Sequence, residues 1–257
     1  MTRMMKRALI NFFFRVFVFF FVFGIYLTEK ERLIDFMTHE FTFGISEYGI
    51  SPLHVLWFVF MVMMIHHIFP NKQLSMAHKK GKIEEFKEVP GYSRLELLEF
   101  VQNMNVKAWI VMLSWLIFNS VFAVLYLFKI IDVADMLMLT VFFYLSDYLC
   151  ILFFCPFQTA IMHNKCCINC RIYDWGHFMM FTPMLFIKNF FSWSLFFTSV
   201  IVLIRWEVNY AKHPERFWYG SNQHLQCSQC QEKLCVIKNK LNTGGNQSNQ
   251  LWFSTEG

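Results

Sequence analysis

Apolar residues in this chain gather into long unbroken runs, with neither the alternation of a half-buried strand nor the single stripe of a surface helix. Residues 8–27, 52–69, 108–131 and 136–157 are nearly free of charge. At about 1.5 Å per helical residue each approaches or exceeds a hydrocarbon core of about 30 Å, so four transmembrane helices are predicted. A fifth apolar stretch, 178–204, is interrupted after Pro183 by Lys188 and Asn189. It reads either as one tilted span of about 40 Å or as a re-entrant hairpin, with legs of about 20 Å and 22 Å turning at Lys188 and Asn189.

Composition strengthens this picture. The chain is 56% hydrophobic and only 16% charged, against roughly 25% charged in an ordinary soluble domain. Its 33 phenylalanines exceed what one core of this size can hide, which makes lipid their solvent. The expected fold class is all-α, a polytopic helical membrane protein with a small cysteine-rich metal-binding module. Residues 1–204 form the membrane domain, 205–237 a cysteine-rich tail, and 238–257 a polar, low-complexity end that reads as disordered.

Charge sets the expected orientation. Arg3, Lys6 and Arg7 precede the first run, whose exit lacks a small-x-small cleavage pattern and so reads as an uncleaved anchor. Segment 28–51 has only Lys30 and Arg32 beside five acids (Glu29, Glu31, Asp35, Glu40 and Glu47), whereas 70–107 has seven basic residues, among them Lys79, Lys80 and Lys82. The positive-inside rule then places the N-terminus, 70–107 and the cysteine clusters in the cytosol. The net charge of +5 is accounted for by topology, so the bilayer is the expected partner, nucleic acid is not, and any protein partner is unspecified. Within 70–107, Ser93 and Glu96 make a capping box that predicts a helix starting near Arg94, lying on the membrane or leading into the third span.

Chemistry enters with the cysteines. Cys150 and Cys155 fall within or at the end of the fourth span and read as small buried hydrophobes. The other six form two triplets, Cys166, Cys167 and Cys170, and Cys227, Cys230 and Cys235, each holding one Cys-x-x-Cys. Two such pairs supply the four sulfurs of a structural zinc site, here Cys167, Cys170, Cys227 and Cys230. Cys166, Cys235, His163 and His177 are the possible extra ligands, and iron is the second choice of metal. Permanent disulfides fit poorly with a cytosolic location. A shared metal also makes a topological demand: one crossing by 178–204 would put the triplets on opposite faces, so the hairpin reading is required.

Polar residues in the spans offer further chemistry. Asp147 lies near mid-bilayer, where a carboxylate marks a pair, a cavity or a proton path, with Asn119, Arg15 or Lys188 as its candidate partners. Arg15 by itself can snorkel to the interface, as Lys188 can at a hairpin tip. His54 and His67, thirteen residues apart on one helix, invite bis-histidine haem, but a partner helix is missing. Hydrolase, phosphate-loop, zinc-protease and dinucleotide signatures are absent. Three functional readings follow. The first is a scaffold or adaptor with a structural four-cysteine zinc site. The second is a membrane thiol-disulfide oxidoreductase using the Cys-x-x-Cys pairs. The third is a small transporter using Asp147 and Lys188.

Overall fold

A computed structural model describes residues 2–39, 41–42, 49–69, 75–164, 166–230 and 232–235. Glu40, Glu47, Lys165 and the polar end at 238–257 lie outside the described residues. The chain forms α1 (Arg3–Thr28), α2 (Lys30–Thr38), α3 (Pro52–Ile68), α4 (Met76–Lys79), α5 (Arg94–Leu127), α6 (Val133–Leu152), α7 (Gly176–Phe181) and α8 (Phe190–Lys212), joined by 3-10 and π turns. One short antiparallel pairing, β1 (Phe41–Thr42) with β2 (Gly49–Ile50), lies between α2 and α3.

Four of these helices, α1, α5, α6 and α8, are long and apolar enough to cross a membrane, as expected of a multi-pass membrane protein. Their membership differs from the expectation in one exchange. Helix α3 has 17 residues, about 26 Å, and falls short, whereas α8 continues past Ile204 to Lys212 and qualifies on its own. Large apolar side chains such as Phe13, Phe17, Phe20, Trp109 and Ile117 stand exposed on α1 and α5, a surface that suits hydrocarbon rather than water.

Local chemistry fixes the helix starts. The Ser93 hydroxyl accepts the Glu96 amide at the head of α5, the serine half of the expected capping box, and the helix leads straight into the third span. Asp132 and Asp135 cap α6 reciprocally, and Asn189 accepts the Phe191 amide to open α8. The fifth apolar stretch is therefore two legs and not one helix. α7 passes into a 3-10 turn over Thr182–Phe186, around Pro183, then turns at Lys188 and Asn189 and returns as α8.

Contacts between helices set their directions. Helix α1 runs antiparallel to α6, with Asn11 near Tyr148 at one end and Tyr26 near Asp135 at the other. Helices α3 and α8 run parallel, with the His54 ring 4.9 Å from Phe191 at their starts and Arg205 over Phe69 near their ends. The α7 leg fills the centre: Phe181 packs edge-on to Phe60 of α3 at 5.2 Å, and Thr182 accepts the Trp115 indole of α5 at 3.1 Å. Consequently the α7 entry, the α8 exit and the first residues of α1 all reach one end of the bundle, called here the cysteine end.

That end is knitted from four separate segments. Val89 donates to the Ser221 carbonyl at 2.9 Å and Gln223 to the Lys87 carbonyl at 2.8 Å. Arg216 donates to the Gly81 carbonyl at 2.8 Å, Asn169 to the Leu225 carbonyl at 3.1 Å, and the Thr2 hydroxyl to the Glu232 carbonyl at 2.8 Å. The tail after α8 is thus a docked part of the fold.

Candidate functional site

The return at Asn189 brings both cysteine triplets to the same end. Each Cys-x-x-Cys closes a tight turn of its own: the Cys170 amide donates to the Cys167 carbonyl at 3.1 Å, and the Cys230 amide to the Cys227 carbonyl at 3.4 Å. The Lys233 amide points at the Cys230 sulfur, 3.5 Å away. Cys166 and Cys230 pack around one small apolar cluster built on Ala77, Ile168 and Leu225. Cys167 donates to Gln158 at 3.1 Å, Cys170 is buried, and Cys227 is exposed. Among the described residues no three sulfurs close to within 4.8 Å.

Lys80 lies in the midst of these groups. It is 2% exposed, and its Nζ has no hydrogen-bond partner among the described residues. Burial lowers its ammonium to about 8, while the nearby Cys170, Cys166 and Glu232 pull the other way. Burial also pushes the Cys170 thiol up to about 12 and the Cys166 thiol up to about 11. The ammonium lies over the Trp206 and Phe217 rings, 5.8 and 5.6 Å from their centroids, and negative charge on the nearby sulfurs would add the counter-charge that a buried cation calls for.

A second cluster was not assembled by sequence reasoning. His67 sits in the last turn of α3, Asp174 in the 3-10 turn Tyr173–Trp175, and His177 in the first turn of α7. His67 Nδ1 lies 2.7 Å from Asp174 Oδ1, and His78 Nε2 of α4 lies 3.2 Å from the same oxygen. The His67 and His177 rings are 4.4 Å apart. Ligand atoms of His67, Asp174 and His177 all fall within 4.8 Å of one another, the one such group among the described residues. The available signal in the sequence was Asp174-Trp-Gly-His177, an i,i+3 spacing that puts both side chains on one face of a helical turn. Of the other histidines, His163 is exposed and bonds the neighbouring Ile161 carbonyl, while His54 caps the start of α3 with Ser51.

Asp147 pairs with Arg15. The Nη1–Oδ2 distance is 2.8 Å, Nη1 also donates to the Tyr144 carbonyl at 2.5 Å, and the guanidinium lies 4.1 Å from the Tyr144 and Tyr148 rings. Lys188 is exposed at the tip of the hairpin, so it and Asp147 stand at opposite ends of the α7 leg. A cavity of about 580 Å³ lies beside the pair, walled by aromatic side chains such as Trp115 and Phe143 and bordered by Cys150, Cys155, Cys167 and Cys170. Compared with known proteins, the chain matches no family model, no curated protein and no solved structure.

Proposed function

We propose that this is a multi-pass membrane protein whose cytosolic end is a metal-stapled platform, with a structural zinc ion on Cys167, Cys170, Cys227 and Cys230 joining the loop after α6 to the tail after α8. The observation that carries the reading is Lys80. A tetrathiolate zinc centre bears net negative charge, and this buried ammonium beside Cys170 supplies the counter-charge. Two further features support it: both Cys-x-x-Cys segments are already turned, and the hairpin at Asn189 puts them at one end. Zinc binds thiolates and displaces their protons, so the raised Cys170 thiol is a cost at neutral pH that the metal must offset, and affinity should rise with pH. The role is scaffolding, because four protein sulfurs leave no position for a catalytic water.

The oxidoreductase reading keeps one observation in its favour, the apolar cavity bordered by four thiols, which is large enough for the ring of a lipid-soluble electron carrier. It is disfavoured by the thiols themselves. Exchange chemistry needs a thiolate, and burial pushes one of the candidate exchange thiols, Cys170, up to about 12. The transporter reading is disfavoured, because Asp147 is paired with Arg15 and Lys188 is exposed at the far end of the α7 leg.

The deciding experiment is metal content per chain in detergent-purified protein, with a count of alkylatable thiols before and after chelation. One zinc whose removal exposes four thiols, and whose loss follows Cys230→Ser, supports the platform. Unchanged zinc and unchanged stability in Cys230→Ser refute it. Thiols that are oxidised and cycle with redox poise in intact cells would establish the oxidoreductase instead.

A further inference from the structure

The histidine and aspartate cluster has donors of another kind from the thiols. Its three ligand residues come from α3, the turn before α7, and α7 itself, so the site exists only because the α7 leg enters the bundle alongside the end of α3. Burial is nearly complete: side-chain exposure is 13% for His67 and 7% for Asp174. An isolated carboxylate would be costly there. Burial pushes the Asp174 carboxyl up, but hydrogen bonds to His67 and His78 outweigh it and hold the group well below the usual carboxylate range. Its Oδ1 faces imidazole nitrogens on one side, His67 Nδ1 at 2.7 Å and His78 Nε2 at 3.2 Å.

Support from outside the cluster aims one of the imidazoles. The Ser75 hydroxyl meets His78 Nδ1 at 2.7 Å, which turns His78 Nε2 toward Asp174. His78 is thereby an outer partner of the Asp174 carboxylate, and such partners are the usual means of orienting a ligating group around a metal. The donor set of two imidazoles and one carboxylate selects a borderline divalent transition metal over magnesium or calcium, which favour oxygen alone. Three protein ligands are also the pattern of centres that keep a coordination position open for water or substrate.

We propose that His67, Asp174 and His177 hold a divalent transition metal, zinc or ferrous iron, at a site distinct from the cysteines, with His78 anchoring the carboxylate from outside the three-ligand group. The inference does not depend on the four-cysteine reading, and each can fail alone.

Cobalt(II) loading of chelated full-length protein in detergent separates the two. A thiolate site gives an intense near-ultraviolet sulfur-to-cobalt band, whereas a nitrogen and oxygen site gives only weak visible bands. The expected result is that His177→Ala loses about one equivalent of metal, or binds it about 100-fold more weakly or worse, with any sulfur band unchanged, while Cys230→Ser leaves the weak visible bands in place. Metal binding in His177→Ala equal to wild type, at unchanged helix content, overturns the proposal. Should that variant fail to fold, the conservative His67→Gln decides: it must lose the same equivalent of metal, and binding equal to wild type at unchanged helix content overturns the site.

Discussion

Gly176 and Asp147 approach so closely that a Cβ on the glycine would stand 2.7 Å from the Asp147 Oδ1. This contact is where the α7 leg enters the bundle against α6. A flexible carboxylate could ordinarily swing aside, but this one is tied to Arg15 at 2.8 Å. Gly176→Ala must therefore break the pair or displace α7, and about 1–3 kcal/mol of destabilisation is expected, in the range of an overpacked core. Adding Asp147→Ala should remove most of the glycine's effect, giving a strongly non-additive cycle in thermal melts in detergent. An additive result would mean that backbone crowding, and not the carboxylate, makes position 176 glycine.

The Arg15 and Asp147 pair itself predicts an asymmetry. The Arg15 side chain is 8% exposed and its guanidinium is sandwiched by Tyr144 and Tyr148, so removing its counter-charge strands a cation between two helices. Asp147→Leu alone should cost about 3–5 kcal/mol. Arg15→Met together with Asp147→Leu should recover most of that loss, because the pair is replaced by packing of similar volume. If the double variant melts as low as the single, the pair has a role beyond neutralising itself, and the cavity beside it becomes the place to look.

Length was the easiest property to read from the chain, because a bilayer demands about 20 apolar residues per helix and the runs supply them. The break at Lys188 and Asn189 was visible only as one of two alternatives, since two polar residues in an apolar stretch need water but a long tilted helix could also carry them. What lies buried was hidden, because residues facing lipid are as apolar as residues facing protein: nothing local distinguishes Phe181, which is 2% exposed, from Phe17, which is 66% exposed. The metal candidates show the same limit. Cys-x-x-Cys pairs are contiguous and announce themselves, whereas His67, His78, Asp174 and His177 meet only through the fold. Arg15 stood among three possible partners for Asp147, and the register of α1 against α6 decides between them.

Lys80 gives the platform a pH signature. Its native value of about 8 lies below the ordinary 10.5, so between those pH values the unfolded chain holds the proton and the native one has lost it. Stability from this residue therefore rises with pH across that window, and below about pH 8 the buried ammonium carries its full cost. In chelated protein Lys80→Met should be more stable than wild type at pH 7 by about 3 kcal/mol, with the gap closing as pH climbs from 8 toward 10.5. Zinc should shrink the gap at pH 7, since the thiolates then stabilise the ammonium. A gap indifferent to both pH and zinc would separate Lys80 from the thiols and remove the main support for the platform.

The cysteine loop is anchored to α8 through Arg171 and Glu207. Arg171 makes two hydrogen bonds to the Glu207 carboxylate, which also accepts the Trp175 indole at 2.8 Å. The Trp206 indole donates to the Arg171 carbonyl at 2.8 Å, and the guanidinium lies 3.6 Å from the Tyr210 ring centre. These bonds fasten the residue next to Cys170 to the helix that carries the tail, so they hold one triplet in place whether or not metal is bound. Glu207→Gln keeps the shape but leaves Arg171 short of a charge partner, a loss of about 3–5 kcal/mol for a buried cation. The local consequence is more telling than the global one. Opening of the loop should become easier, and alkylation of buried Cys170 in chelated protein should accelerate by about tenfold or more, read by mass spectrometry of the labelled peptide, while labelling of exposed Cys227 should stay constant. Equal acceleration at both cysteines would indicate general loosening and deny the Arg171 pair its specific hold on the loop.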